Sequence, residues 1–496
     1  MHRCLQFLIL QSLINISIYK NIAMCKRKPP LLGEAFCVIV RSVESVKGEN
    51  MEIKLSDHFT WRRLFRFVIP SIVMMVFISL YGVVDGYFVS NYAGKTAFAA
   101  VNLIWPFPMM LGSFGFMIGT GGSALVSMTL GQGRKEDANR IFSMLIKVTI
   151  IGGILLSAIG LIFIKDIAIL LGATPEMLDY CVAYGSILLV FGTFFMLQNV
   201  FQSFMVTAEK PTLGLIVTVA AGVANMVLDF VLVGVLKGGI VGAGLATGIS
   251  QLVGGLFPLI YFIRKNSSEL RLIWAKIDFK VLGKTCFNGS SELMTNVSLS
   301  LVNMLYNLQL MKYAGEDGVS AYGVIMYVSF IFISVFIGYS IGTAPIVGFN
   351  YGANNRAELR NVYRKSLGFN VVCGGLMCVS AIAMSDVLSG IFVGYDAGLC
   401  EMTKRAFVIY SLSFIVVGIN IFGSSFFTAL GNGLISAILS FFRTLLFQVV
   451  AVFALPAIWG LDGVWFAIVT AELAALVLTV VFLAANRKKY GYGRYA

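Results

Sequence analysis

Charge is scarce in this chain. Asp, Glu, Lys and Arg make up 12% of its 496 residues, where an ordinary soluble domain carries about 25%. That shortage excludes a water-facing globule of this length. Histidine is nearly absent, with only His2 and His58, so imidazole catalysis and His-ligated metal sites lack their raw material. The eight cysteines are scattered and form no Cys-x-x-Cys, which argues against a zinc cluster or a disulfide framework. No Walker motif or nucleophile elbow occurs. Gly-Thr-Gly-Gly-Ser at 119–123 has the look of a phosphate loop but lacks the following Lys. It lies within an apolar run, where small residues serve close helix contact. The chain reads as neither an enzyme nor an ATP-driven pump, and it calls for no cofactor.

What the chain has is apolar length. Hydrophobic residues make up 58% of it, and at about 20 residues per span there is room for about twelve crossings. Runs centred near 78, 112, 153, 193, 223, 251, 298, 332, 377, 417, 446 and 474 are separated by charge, Gly, Pro or Asn. In lipid every backbone polar group must be satisfied internally, so each run reads as a helix. The predicted fold is an all-α polytopic membrane protein of twelve transmembrane helices.

The net charge of +13 does not read as nucleic-acid binding, because of where it sits. Arg62, Arg63 and Arg66 open the first run, and Arg134, Lys135, Arg140 and Lys147 follow the second. Arg264, Lys265, Arg271, Lys276, Lys280 and Lys284 lie between the sixth and seventh. Arg356, Arg360, Arg364 and Lys365 follow the eighth, and Arg487, Lys488, Lys489 and Arg494 follow the last. The gaps between these clusters are poorer in basic residues, although Lys404 and Arg405 blur one of them. Alternation of this kind is the positive-inside pattern. It predicts a multi-pass protein of the inner (plasma) membrane with both termini cytoplasmic and an even number of spans.

Residues 1–50 do not match the rest. An apolar stretch from Leu5 to Ile18 is followed by Lys-Arg-Lys-Pro-Pro at 26–30 without a signal-peptidase site. The segment reads as a leader or an over-extended start outside the fold, or as a helix on the membrane surface. The remainder divides into an N-terminal six-helix lobe at 51–270 and a C-terminal one at 271–496.

An internal repeat supports that division. Tyr-Ala-Gly at 92–94 returns at 313–315, 221 residues on. Thr207 and Ala208 return as Thr428 and Ala429, and Gly239 and Gly242 as Gly460 and Gly463, all at the same offset. Two similar lobes around an axis along the membrane normal leave a cleft between them, and rocking about that cleft is the natural motion.

Against this background the acids stand out. Asp85 and Asp229 lie within apolar runs, where insertion costs roughly 2.5–3.5 kcal/mol each. Each sits eight or nine residues before an outer loop, so roughly 12 Å from the outer end of its helix. Tyr81 and Asn225 precede them by four residues, on the same helix faces, and Thr247 falls at a similar depth on the sixth run. Two carboxylates, an amide and a hydroxyl at one level read as an oxygen-lined site for Na⁺, or as carboxyls sharing protons. The offset carries Asp85 to Tyr306 and Asp229 to Val450, so only the first lobe holds this set. In the second lobe Glu292 reads as a substrate or proton residue, or as the partner of a basic loop residue. Asn303 and Asn307 follow it at helical spacing. Glu472, mid-span in the last run, reads as a third candidate or as a packed polar residue.

These residues resemble the MATE (multidrug and toxic compound extrusion) transporters over roughly 55–490. The carriers of the resemblance are Ile69-Pro70, Asp85-Gly-Tyr-Phe-Val, Asn225-Met-Val-Leu-Asp229, Gly-Gln-Gly-Arg-Lys-Glu-Asp-Ala at 131–138 and Asn-Tyr-Gly-Ala-Asn at 350–354. The chain is more similar to the prokaryotic branch, and within it to the staphylococcal multidrug exporters. The resemblance implies two pseudo-symmetric lobes and coupling residues at Asp85, Asn225, Asp229 and Thr247, with Tyr81 beside them. It also implies a hinge at Pro70. Span ten holds Asn420 but no acid, which departs from the branch with a second-lobe sodium site. The function so implied is antiport: H⁺ or Na⁺ enters, small amphipathic and mostly cationic molecules leave, and a monomer suffices. A lipid-linked glycan flippase of the same superfamily is the alternative and needs a basic central cavity, for which Arg443 is the main intramembrane candidate. A non-transporting membrane scaffold is the third reading.

Overall fold

The computed structural model describes residues 53–493; the leader at 1–50 lies outside the described residues. Everything regular among them is helical. Helix α1 (Trp61–Phe88) runs into a π-helical turn, Val89–Ala93, and is followed by α2 (Lys95–Ile104) and α3 (Pro106–Gly131). Then come α4 (Lys135–Leu170), α5 (Pro175–Val190), α6 (Gly192–Thr207), α7 (Pro211–Leu228), a second π-helical turn at Asp229–Val235, and α8 (Gly239–Ile263). The later part holds α9 (Phe279–Gly352), α10 (Arg356–Val393), α11 (Ala397–Ser411) and α12 (Phe414–Ala429). It ends with α13 (Gly433–Phe441), a third π-helical turn at Phe442–Leu446, α14 (Phe447–Trp459) and α15 (Leu461–Tyr490).

Nine of these helical stretches are long and apolar enough to cross a membrane, and the bent pairs α5/α6 and α11/α12 raise the number to eleven. Helix α9 holds 74 residues, roughly 110 Å at 1.5 Å per residue, far more than a bilayer. Its backbone breaks at Gly315 (φ 62°, ψ −149°), a conformation essentially confined to glycine. Two spans therefore meet there, and the count reaches twelve, all helical.

Local chemistry sets the ends. Thr60 caps α1 by accepting from the Arg63 amide, Asp278 caps α9 through Lys280 and Val281, and Asp396 caps α11 through Gly398 and Leu399. Pro106, Pro175 and Pro211 occupy first turns, where a missing N–H costs nothing.

The 221-residue offset reappears in the backbone. Gly94 and Gly315 both have positive φ, as do Gly239 and Gly460. The 55° bend around Phe191 is matched by the 47° bend around Leu412. Sequence similarity at this offset is sparse, yet the unusual conformations fall at the same places.

The two halves touch most intimately toward the end that carries the basic clusters. A Cβ on Gly121 of α3 would come within 2.7 Å of the Gly289 nitrogen of α9, so only glycine lets these backbones meet. Val68 of α1 packs on Gly342, and Ser79 is hydrogen-bonded to Ser334. Two straps add to this closure. Leu55 and Phe59, both buried, anchor the segment before α1. The Leu55 amide donates to Glu209 Oε1 at 2.6 Å, and the Phe59 amide donates to Glu358 Oε1 at 2.9 Å. His58 Nδ1 lies 2.6 Å from Glu358 Oε2. The linker before α9 docks on α4 instead, with the Arg271 amide donating to Asn139 Oδ1 and the Ile273 amide to Ser143 Oγ.

Candidate functional site

Asp85 lies on α1, one turn before the π-helical turn Val89–Ala93, and Asp229 opens the second such turn at the end of α7. The third, Phe442–Leu446, contains Arg443. Each wide turn thus adjoins or contains an intramembrane charge. Such turns re-aim side chains and recur at functional sites.

Around Asp85 the first half gathers its polar groups. Asp229, Asn225 and Thr247 all neighbour its carboxyl. Thr247 Oγ1 donates to Asp85 Oδ1 at 3.5 Å, the outer limit for such a bond. Asp229 is fully buried at 0% exposure and Asn225 is 1% exposed, whereas Asp85 is half-buried. Tyr81 stands beside Asp85 and reaches Gln198 of α6, and its ring packs on Gly222 of α7. Tyr184 of α5 approaches from another side, next to Thr247, Asp85 and Asp229.

The donor count here does not close. Both Asp229 carboxylate oxygens, Asn225 Oδ1 and the Tyr184 hydroxyl are buried without a partner in hydrogen-bond geometry. Ionised carboxylates only accept, so two of them facing each other satisfy neither. A shared proton or a cation between them satisfies both. An unpaired buried charge is otherwise expensive, and the oxygen donors present fit a small hard cation.

The sequence-predicted residues therefore divide. Asp85, Asn225, Asp229, Thr247 and Tyr81 come together. Pro70 is buried within an unbroken α1. Glu292, Asn303, Asn307 and Glu472 belong to the second half and lie elsewhere. Asn303 accepts from the Tyr322 hydroxyl at 2.9 Å across the Gly315 break, and Asn307 is exposed. Glu472 is ion-paired: Arg443 Nε donates to its Oε1 at 2.9 Å, and Asn420 Nδ2 donates to its Oε2 at 2.8 Å. The charge facing Glu292 is Arg443, an intramembrane residue and not a loop cation.

Three neighbours were missed by the sequence reading: Tyr184, Gln198 and Gln251. Gln251 follows Thr247 by four residues, the same spacing that paired Tyr81 with Asp85, and that signal was available. Tyr184 and Gln198 sit on a bent span, where helical spacing alone does not say which face turns inward.

Comparison with known proteins places this architecture. The MatE family profile matches the chain twice, over residues 70–231 and 293–453, and the two stretches begin 223 residues apart, close to the repeat offset. The multidrug export protein MepA of Staphylococcus saprophyticus is 24% identical over 430 residues, covering 86% of this chain and 94% of that protein. MepA of Staphylococcus aureus is likewise 24% identical, over 432 residues. A multidrug resistance MATE family transporter solved in an outward-facing conformation superposes with a TM-score of 0.82. It is 22% identical, with 87% of this chain and 96% of that one covered. A MATE structure in complex with MaL6 gives the same TM-score.

Proposed function

The chain belongs to the MatE family of multi-pass membrane transporters, and from that premise we propose that it is a cation-coupled antiporter. In this reading it exports small amphipathic, mostly cationic compounds by alternating access. H⁺ or Na⁺ enters at Asp85 and Asp229 from the side opposite the basic loops. It bridges the two carboxylates, draws α1, α7 and α8 together, and favours release of the bound compound outward. Rocking of the halves then opens the basic side, where the cation leaves. The cycle is driven only if the cation binds the two states with different affinity. Both termini lie on the cytoplasmic side of the plasma membrane in this proposal, because the basic clusters share one end. The lobes meet near residue 270, and the monomer is the working unit.

The observation that carries this reading is the fully buried Asp229 beside Asp85, with neither Asp229 carboxylate oxygen partnered. The names of the MepA relatives support the class of substrate. The flippase reading draws no support from Arg443, since Glu472 neutralises the charge that a basic cavity would need. The scaffold reading gives the acids nothing to do. The test is efflux of a fluorescent cationic dye from proteoliposomes under separately imposed H⁺ and Na⁺ gradients. Gradient-driven efflux that vanishes in Asp85→Asn and Asp229→Asn is the expected result. Efflux equal to wild type in both variants would overturn the assignment.

A further inference from the structure

At the basic end a pair of cavities flanks the crossing of α3 and α9. The crossing is itself symmetric. A Cβ on Gly131 would overlap the Phe349 carbonyl oxygen, and one on Gly352 would overlap the Met128 carbonyl oxygen. Gly131 and Gly352 are 221 residues apart, so each half meets the other through the same glycine. The first cavity, about 320 Å³, is lined in part by Gly133, Lys135 and Glu269. The second, about 300 Å³, has Asn354, Arg356 and Tyr490 at the matching positions, each 221 residues on. Gly133 and Asn354 share a positive φ, at 76° and 55°.

The two cavities differ in charge. In the first, Lys135 Nζ lies 2.5 Å from Glu269 Oε2, Glu209 adds a second carboxylate, and Lys54 to Ser56 of the strap line the space. In the second, Tyr490 and Leu430 stand at the offsets of Glu269 and Glu209, and no acid is among the lining residues. Its cations, Arg356 and Lys489, enter no ion pair among the described residues. The fold nonetheless holds them at one place. Arg356 opens α10, and its Cδ lies 2.7 Å from where a Cβ on Gly491 would be; that left-handed glycine (φ 74°) caps α15 two residues after Lys489. Tyr490 fixes the turn between them. It is 7% exposed, its hydroxyl accepts from Asn432 Nδ2 at 2.8 Å, and its ring lies 5.6 Å from that of Tyr351. Gln132 joins from the first half. Its Oε1 accepts from Arg134 Nε at 3.1 Å, which leaves its NH₂ group for another acceptor.

We propose that this second cavity binds a phosphate group through Arg356, Lys489 and Gln132. A guanidinium grips phosphate oxygens in pairs, an ammonium adds a point charge, and the amide adds a neutral donor. Basic pockets between spans on this side of a membrane take phospholipid headgroups, and free phosphate offers the same oxygens. The bound anion supplies the negative charge that Glu269 supplies in the first cavity. It also joins the end of α3 to α10 and α15, across the two halves, as the strap does on the other side. The site is separate from Asp85 and Asp229 and stands whether or not those acids couple a cation.

The test is calorimetric titration of the purified full-length protein in a neutral detergent. The probes are dihexanoyl phosphatidylglycerol and inorganic phosphate, with dihexanoyl phosphatidylcholine as the zwitterionic reference. Saturable binding of at least one anionic probe is expected. Combining Arg356→Gln with Lys489→Gln should weaken it about tenfold or more, the scale of losing contacts with charged groups. Lys488→Gln removes the same charge one residue away, outside the lining, and should bind as wild type does. Arg356→Gln alone, at an exposed position, carries the criterion should the double variant not be recovered. Binding of phosphatidylglycerol without inorganic phosphate assigns a lipid headgroup, and binding of inorganic phosphate assigns the free anion; either upholds the site. Three results overturn it: no saturable binding of either anionic probe, equal affinity for phosphatidylcholine, or equal weakening in Lys488→Gln.

Discussion

Arg443 Nε lies 2.9 Å from Glu472 Oε1 in the middle of the second half, with the two side chains 15% and 3% exposed. The pair sits beside Asn420 and faces Glu292. Removing one partner leaves a buried charge uncompensated, which typically costs 3–5 kcal/mol, whereas replacing both with apolar groups is often neutral. Arg443→Leu and Glu472→Leu should each lower the thermal unfolding midpoint of the purified protein clearly. The double variant should recover most of the loss. A double variant no more stable than the singles would show that the pair acts through other neighbours.

Gly315 and Gly94 turn the chain at equivalent helix ends, opposite the basic clusters. At φ 62° and ψ −149° Gly315 occupies backbone space that a Cβ disfavours, and non-glycine residues there cost about 1–3 kcal/mol. No atom lies within 4 Å of the position a Cβ would take, so conformation and not crowding sets the cost. Gly315→Ala is therefore expected to destabilise by that amount in thermal or denaturant unfolding. Gly323→Ala makes the contrast, since that glycine is helical and equally uncrowded, and Ala is the better helix former.

The strap before α1 ties both halves at the basic end. It bonds to Glu209 between α6 and α7 and to Glu358 at the start of α10. Glu358→Ala removes the acceptor of the Phe59 amide and the partner of His58 together. Hydrogen exchange at the Phe59 amide should accelerate, because local opening no longer breaks that bond. Exchange as slow as in wild type would mean that the buried Leu55 and Phe59 side chains hold the strap without Glu358.

Glu209 supplies a pH dependence. Burial raises its carboxyl above the usual range, and the Leu55 amide offsets part of that rise. A carboxyl raised in the folded state is proton-loving there, so its contribution to stability is full below the unfolded pKa. That contribution is lost as pH rises through the folded value. Glu209→Gln keeps an acceptor for the Leu55 amide and removes the ionisation. Its thermal midpoint should therefore fall less than that of wild type as pH rises from the ordinary carboxylate range. Parallel pH profiles for the two proteins would exclude this role.

Much of the first-half cluster was legible beforehand because intramembrane acids are rare and helical spacing is regular. Asp85 with Tyr81, and Asp229 with Asn225, were readable from i, i+4 spacing alone. Depth counted from loop ends brought Thr247 to the same level. Tyr184 and Gln198 escaped because the span that bears them is bent by 55°, which changes the face it presents. The ion pair of Glu472 escaped for another reason. Its depth was readable, but its partner is set by how α15 and the turn at Arg443 are rotated about their axes.

The sequence by itself determined that this is an all-helical membrane protein, with a duplicated plan and an Asp85–Asp229 pair that has no acidic counterpart at the repeat offset. Those are consequences of composition, periodicity and offset, which the chain carries locally. Only the tertiary structure decided which oxygens are left without donors, which glutamate is already paired, and how the straps bind one half to the other. These depend on helix rotation, on π-helical turns and on contacts between residues up to about 300 positions apart, and no local pattern encodes them.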